Sequence, residues 1–368
     1  MMSSSPPLRA GLQHFTETIT VAALGGATLT VMGFPAGLIS GSVLAVAVAA
    51  LAGRPMVVPQ LAARVAFVLI GILLGAVVTP ETLKGMVDWP LSVAILIAAA
   101  LSMMAATASY LRLVHGWDRL SALMGASPGS LAQVMTLSAE FGLDLRAIAI
   151  VQTMRVLVLA VGLPAGLGLF GFTAVPASSP AQAVPAGVGD LGELAVLTLA
   201  STAVALVMQR FRMPGGLLFG ALAASGVLHG TGLIHALLPW WMADGAMITL
   251  GALAGSRFAN TSPRILAGYL GVAFGSFAVA IAVATCFMLV VTSLLPFPVA
   301  NVVVAFAPGA QDTMMVLALA LHLDPVFVGA HHLARFVVVT FTIAFLARRA
   351  SPKVVPKERI RRRGTIDD

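Results

Sequence analysis

Charged residues are scarce in this chain: only 10% of its 368 residues are Asp, Glu, Lys or Arg, whereas 59% are hydrophobic. With a mean hydropathy of +1.00, this composition excludes a soluble globular protein. Apolar runs of about 18 to 25 residues recur from end to end, and each is long enough to cross ~30 Å of hydrocarbon as a helix. The runs lack the alternation of barrel strands, so we predict an all-α polytopic membrane protein.

Cysteine and metal-ligand clusters are also lacking. The single cysteine, Cys286, excludes a disulfide within one chain and a cysteine-ligated metal site. The adjacent His331 and His332 point about 100° apart on a helix, and no carboxylates accompany them at metal-ligand spacing. No GxxxxGK loop is present, so ATP-driven transport would need a partner subunit. We therefore predict no metal, no cofactor and no enzymatic activity.

The chain has an excess of positive charge, with 21 basic residues against 14 acidic ones and a net charge of +7. The densest basic cluster is the tail RRASPKVVPKERIRRRG, which directly follows an apolar helix. Such clusters mark cytoplasmic ends and contact anionic lipid, so the expected partner of the tail is membrane lipid and not nucleic acid. The first apolar segment has no small-residue cleavage site and is predicted to be a retained helix. We expect a bacterial inner-membrane protein with both termini in the cytoplasm.

A period of about 180 residues relates the two halves of the chain. Four pairs of segments match in order: PAGLISG with PGGLLFG, GILLG with GALAG, SPGSLAQVM with APGAQDTMM, and LDLRAIAIVQTMR with LDPVFVGAHHLAR. Four matches at a near-constant offset indicate an internal duplication.

The Lys and Arg residues of the short loops predict opposite orientations for the two halves. The segment between the halves has no Lys or Arg and is expected to be extracytoplasmic. Each half then has about five transmembrane helices plus one segment that enters and leaves on the same side. We predict four regions: membrane repeat 1 at 15–172, an extracytoplasmic connector at 173–191, membrane repeat 2 at 192–348, and a basic cytoplasmic tail at 349–368.

Each re-entrant segment carries a Pro-Gly pair within an otherwise helical run. The segments are predicted at 118–142, entering from the cytoplasm, and at 297–322, entering from outside. Inverted repeats with broken helices that meet near the midplane are typical of secondary transporters. The alternative is that Pro and Gly only kink packed helices, as membrane helices tolerate. We expect the breaks to expose helix ends at which a solute binds.

With these segments in view, the chain resembles the AbrB-type duplicated membrane family. The resemblance runs from about residue 15 to residue 348 and rests on the order SPGS, LDLR, QTMR. Members of that family are commonly labelled ammonia monooxygenase or AbrB regulator, and neither label defines a biochemical activity. The chain departs from the family pattern at Gln133, where an acidic residue commonly follows the first turn.

Twelve residues around the two breaks form the predicted solute site. They are Ser127, Pro128, Gly129, Ser130, Gln133 and Arg155 in the first half, and Pro308, Gly309, Gln311, Asp312, His332 and Arg335 in the second. Free N–H groups and the positive dipole end of a half-helix favour an anion, although Ser130 also fits an ordinary helix cap.

The charged members of this set have two interpretations each. Arg155 and Arg335 lie deep in their helices, where they either receive an anionic substrate or pair with carbonyls freed by the breaks. Asp312 is either a proton- or cation-coupling carboxylate or a structural cap. His332 is a candidate for proton transfer, against a plain bond to a neighbouring helix.

The functional prediction is a secondary transporter that moves a small anionic solute by alternating access. The alternative is a membrane regulatory or sensor protein that affects gene expression indirectly, and a membrane monooxygenase ranks below both. The expected partners are a small-molecule solute and membrane lipid, and a homodimer is compatible with the sequence.

Overall fold

The computed structural model of the protein describes residues 8–78, 86–128, 131–172, 191–211, 213, 215–259 and 261–350. These residues form fourteen α-helices and no β-strand. Seven helices belong to the first half: α1 (Leu8–Val31), α2 (Gly37–Leu51), α3 (Gln60–Ala76), α4 (Trp89–His115), α5 (Arg119–Ala126), α6 (Leu131–Glu140) and α7 (Leu145–Leu169). Seven belong to the second: α8 (Leu191–Arg210), α9 (Gly216–Gly230), α10 (Trp240–Gly255), α11 (Pro263–Leu294), α12 (Val299–Phe306), α13 (Gln311–Ala320) and α14 (Pro325–Ala350). The predicted connector and tail lie outside these ranges except for residues 191, 349 and 350.

Five of the described helices are long and apolar enough to cross a membrane. They are α4, α7, α8, α11 and the part of α14 from Pro325 to Ile343, with 19 to 32 residues each. At 1.5 Å per residue such helices reach roughly 30 Å or more, the thickness of the hydrocarbon layer. The predicted class is thus confirmed at this level: the described chain is all-helical and of the multi-pass membrane type.

Four central helices are shorter than the apolar runs of the sequence suggest. Helices α2, α3, α9 and α10 have 15, 17, 15 and 16 residues. The apolar runs extend further because the segments that connect these helices contain apolar residues, some of which are buried while others are exposed. Met56, Ile234 and Leu238 lie in such connecting segments and are at most 4% exposed. Run length therefore reports burial as well as helix length.

Glycines bring helices of the two halves into close contact at the centre of the fold. A Cβ atom on Gly71 of α3 would lie 2.4 Å from the carbonyl oxygen of Leu218 in α9. On the other side, a Cβ atom on Gly251 of α10 would lie 2.6 Å from the Cβ atom of Ser42 in α2. The GILLG and GALAG segments therefore pack against helices of the opposite half, as small residues do in membrane bundles.

Replacing Gly75 by Ala is expected to destabilise the protein by about 1–3 kcal/mol, because the added methyl group overpacks the contact between α3 and α9. Its Cβ atom would lie 2.5 Å from the Cβ atom of Ser225 and 2.6 Å from the backbone nitrogen of Gly226. The matched control is Gly162→Ala in α7, whose Cβ atom would meet only Val158, at 3.9 Å. Thermal unfolding in detergent measures both variants, and equal melting temperatures would contradict the close packing.

Two helical runs are interrupted at the Pro-Gly pairs. Helix α5 ends at Ala126 and α6 begins at Leu131, while α12 ends at Phe306 and α13 begins at Gln311. Proline has no backbone N–H and disfavours the helical conformation of the residue before it, so Pro128 and Pro308 account for the interruptions. Each pair of short helices leaves backbone carbonyl groups in the protein interior without helical partners.

The long helices α7 and α14, the second helices after the two breaks, begin at equivalent aspartates. The Oδ1 atom of Asp144 accepts hydrogen bonds from the backbone N–H groups of Arg146 and Ala147, at 3.0 and 3.2 Å. The Oδ1 atom of Asp324 accepts them from Val326 and Phe327, at 2.9 and 3.0 Å. Both are standard N-caps, and they set the start of the two helices, α7 and α14, that carry the deep arginines.

Candidate functional site

Arg335 is a buried cation that binds the backbone of the second break. It lies on α14, is 1% exposed, and donates hydrogen bonds to the carbonyl oxygens of Ala307 and Gly309, at 2.6 and 3.0 Å. It also donates to the Nδ1 atom of His332. The guanidinium group thus satisfies carbonyl groups that the interruption leaves without helical partners.

Arg155 holds the equivalent position on α7, 180 residues earlier. It is 7% exposed, and one terminal nitrogen donates to the carbonyl oxygen of Ser127 at 2.9 Å. Its buried Nε atom has no hydrogen-bond partner among the described residues. Unlike Arg335, it lines a cavity. Arg155 therefore places a positive charge at the cavity wall, and its Nε–H is a buried donor that no described residue satisfies.

One turn before each arginine, a polar side chain binds the short helix that precedes the break, α5 or α12. The Nε2 atom of Gln152 donates to the carbonyl oxygen of Met124 at 2.8 Å. The Nε2 atom of His332 lies 3.1 Å from the carbonyl oxygen of Val304. Because the guanidinium of Arg335 can only donate, the Nδ1 atom of His332 accepts and its Nε2–H donates, which defines a neutral tautomer. Both ring nitrogens are therefore engaged.

The cavity beside Arg155 has a volume of about 530 Å³ and lies where the two halves meet. The first half contributes residues of α3, α6 and α7, and the second half contributes residues of α8, α9, α10, α13 and α14. The N-terminal ends of α9 and α13 both border it, through Gly216 and Gln311. Helix N-termini carry free N–H groups and a partial positive charge, so this geometry favours an anion.

Six polar side chains line this cavity: Gln152, Arg155, Gln209, Arg257, Gln311 and Asp312. A terminal nitrogen of Arg257 lies 3.7 Å from the Oδ2 atom of Asp312, and both side chains are partly exposed. The Oδ1 atom of Asp312 accepts the backbone N–H of Thr313 at 3.0 Å. The carboxylate is therefore already balanced by a cation, and Arg155 remains as the excess positive charge.

The structure brings three of the twelve predicted residues together at the cavity: Arg155, Gln311 and Asp312. Gly309 and His332 lie instead at the Arg335 clamp, the set of hydrogen bonds that Arg335 donates to Ala307, Gly309 and His332.

The other predicted residues belong to the breaks and to α6. Ser127, Pro128 and Pro308 are buried in the breaks, and the hydroxyl of Ser127 has no hydrogen-bond partner among the described residues. Gly129, Ser130 and the side chain of Gln133 lie outside the described residues.

Sequence reasoning missed Gln152, Arg257 and Gln209 as cavity residues. Arg257 lies two residues after GALAG, and the equivalent position in the first half, two residues after GILLG, is Val77. The charged residue in one half, at a position where the other half has an apolar residue, was the signal that could have identified Arg257. Gln209 has no comparable signal, because the packing of α8 against the start of α9 places it at the cavity; a Cβ atom on Gly216 would lie 2.8 Å from the backbone nitrogen of Gln209.

Comparison with known proteins identifies a family and two relatives that the chain resembles. The chain matches the family described as "Transition state regulatory protein AbrB" over residues 38–351. It is 24% identical over 290 residues to the uncharacterised protein YhjN of Bacillus subtilis (strain 168), covering 74% of each chain. It is 25% identical over 332 residues to a protein of Escherichia coli (strain K12) named as a candidate AbrB regulator, covering 85% of this chain and 90% of that one. The family match includes both breaks and the whole cavity.

Proposed function

This chain belongs to the AbrB family, and from its cavity we propose that it is a secondary transporter that moves a small anionic solute by alternating access. The observation that carries the proposal is Arg155: a cation only 7% exposed, with an unpartnered Nε atom among the described residues, on the wall of a 530 Å³ cavity. Two helix N-termini face the same space. Together they form a site for negative charge.

We further propose that the halves are inverted repeats with re-entrant hairpins at the breaks. The short helices before the breaks, α5 and α12, have 8 residues each, and those after them, α6 and α13, have 10 each. The hydrogen bond from Arg155 to Ser127 has its counterpart, 180 residues later, in the bond from Arg335 to Ala307. In transporters of this type, exchanging the conformations of the two halves opens a central site to the other side.

The proposed sidedness predicts a labelling pattern for engineered cysteines. Cys286 is the only native cysteine, so a Cys286→Ala background carries single cysteines at Gln182 in the connector or Ser351 in the tail. A membrane-impermeant maleimide should label Gln182→Cys in intact cells and Ser351→Cys only after permeabilisation. The reverse pattern, or equal labelling of both in intact cells, contradicts the topology.

The transport proposal is tested with the purified protein in sealed vesicles. A panel of radiolabelled organic and inorganic anions is offered against a concentration gradient, with protein-free vesicles as the control. We expect saturable uptake of at least one anion and exchange of that anion after preloading. A solute that the detergent-purified protein binds, but that crosses the vesicle membrane in neither direction, overturns the proposal.

A regulatory or sensor function is the second candidate, favoured by the description of the family and by the name of the Escherichia coli relative. The same cavity would then bind a solute without moving it. Binding without flux in the vesicle assay is the result expected of a sensor, whereas saturable flux is the result expected of a transporter.

A further inference from the structure

We propose that the solute is an amphipathic organic monoanion, with one carboxylate or similar group on an apolar body. The inference rests on the proposed function only in taking the cavity beside Arg155 as the solute site. It names the chemical class that fits that cavity, whether the solute is then moved or only sensed.

The size of the cavity argues against a small inorganic ion. Its volume of about 530 Å³ lies within the range of roughly 300–1,000 Å³ that is typical of sites for small organic molecules. Water occupies about 30 Å³ per molecule in the liquid, so a dehydrated inorganic anion fills only a small part of this space. The remaining volume suits an organic body.

The walls away from the polar groups are apolar. Phe67 of α3, Leu217 of α9, Leu253 of α10 and Phe336 of α14 all line the cavity. A hydrocarbon group against these side chains leaves water, and its burial favours binding in proportion to its area. A fully polar solute, such as a sugar phosphate, would leave its hydroxyl groups unpaired against the same walls.

The charges of the cavity are balanced for one negative charge. Arg155 and Arg257 face it with two positive charges, and Asp312 supplies one negative charge. A dianion would leave one negative charge without a counter-charge among the described charged side chains that line the cavity. An amino acid would carry an ammonium group whose only carboxylate partner on the cavity wall, among the described residues, is Asp312. Because Asp312 already pairs with Arg257, a solute without an ammonium group fits better.

Five probes of matched design test this class on the detergent-purified protein. They are 4-methylpentanoate as the apolar monoanion, leucine with the same body and an added ammonium group, the neutral 4-methylpentanamide, the dianion succinate, and inorganic phosphate. Affinities are measured by titration calorimetry at constant ionic strength. We expect 4-methylpentanoate to bind at least about tenfold more tightly than each of the others. Equal or tighter binding of leucine, succinate, the amide or phosphate overturns the inference.

Two variants test the charge argument and the apolar-wall argument separately. Asp312→Asn removes the negative charge, so the affinity for succinate relative to 4-methylpentanoate should rise at least about fivefold. Leu253→Asn makes one wall polar, so binding of 4-methylpentanoate should weaken severalfold while that of acetate changes little. Thermal unfolding verifies that each variant is folded. If neither ratio changes, the charge balance and the apolar wall do not select the solute, and the inference fails.

The outcomes also separate this inference from the transport proposal. Binding of 4-methylpentanoate without flux in vesicles supports the solute class and contradicts transport. Saturable flux of succinate or phosphate, with no binding of 4-methylpentanoate, supports transport and contradicts the solute class.

Discussion

Replacing Arg155 by Gln is expected to weaken anion binding at least about thirtyfold. The change removes the excess positive charge of the cavity while keeping a polar, though shorter, side chain. Losing one partner of a buried charge interaction costs about 2 kcal/mol or more, and about 1.4 kcal/mol corresponds to a factor of ten. Arg155→Lys keeps the charge but loses the planar two-pronged geometry of the guanidinium, so we expect a loss of at least about tenfold.

Titration calorimetry with the best-binding anion measures both variants of Arg155. The matched control is Arg264→Gln, since Arg264 is exposed at the start of α11 and lies outside the cavity lining. The control should bind as the unchanged protein does. If Arg155→Gln also binds normally while remaining folded, Arg155 serves only to hold the carbonyl group of Ser127, and the anion site lies elsewhere.

Replacing Arg335 by Met should have the largest effect on stability, a loss of at least about 3 kcal/mol. The substitution leaves the carbonyl groups of Ala307 and Gly309 and the Nδ1 atom of His332 without their donor. Each buried polar group left unpaired costs about 1–3 kcal/mol. All of these groups lie in the protein interior, so water does not readily replace the guanidinium.

Thermal unfolding in detergent, with the exposed Arg264→Met as the control, measures this loss. Arg335→Lys keeps a positive charge that can bond one or two of the three acceptors, so its melting temperature should fall between those of the Met variant and the unchanged protein. A melting temperature of Arg335→Met equal to that of Arg264→Met would show that the hydrogen bonds contribute little.

Local sequence signals predicted much of what surrounds the site. Pro128 and Pro308 predicted the interruptions because proline acts on its own helix. Asp144 and Asp324 carry a local signal of the same kind, since an N-cap bonds its own backbone, but they were not predicted as helix starts. The number of residues between each aspartate and its arginine, with the rise of a helix per residue, gives the depth of Arg155 and Arg335 in α7 and α14. Such features depend on neighbours in the chain, so a pattern of a few residues is enough to predict them.

The difference between the two arginines was not predictable in the same way. The duplication makes Arg155 and Arg335 equivalent in sequence, and both were assigned to the solute site. In the structure Arg155 borders the cavity, whereas Arg335 donates to Ala307, Gly309 and His332. The second half has His332 where the first half has Gln152. Arg257, which follows α10 in the chain, lines the cavity beside Arg155. These differences arise from packing between distant segments, which periodicity along one chain does not describe.

The glycine contacts between opposite halves also bear on how the protein is made. The face of α3 around Gly71 packs against α9 near Leu218. Helix α9 is synthesised roughly 150 residues after α3. At about 5–20 residues per second of synthesis, α3 is without its native neighbour for roughly 7 to 30 seconds. Membrane helices associate through small-residue faces, so the glycine face of α3 is open to contact with other helices until the second half of the chain is made.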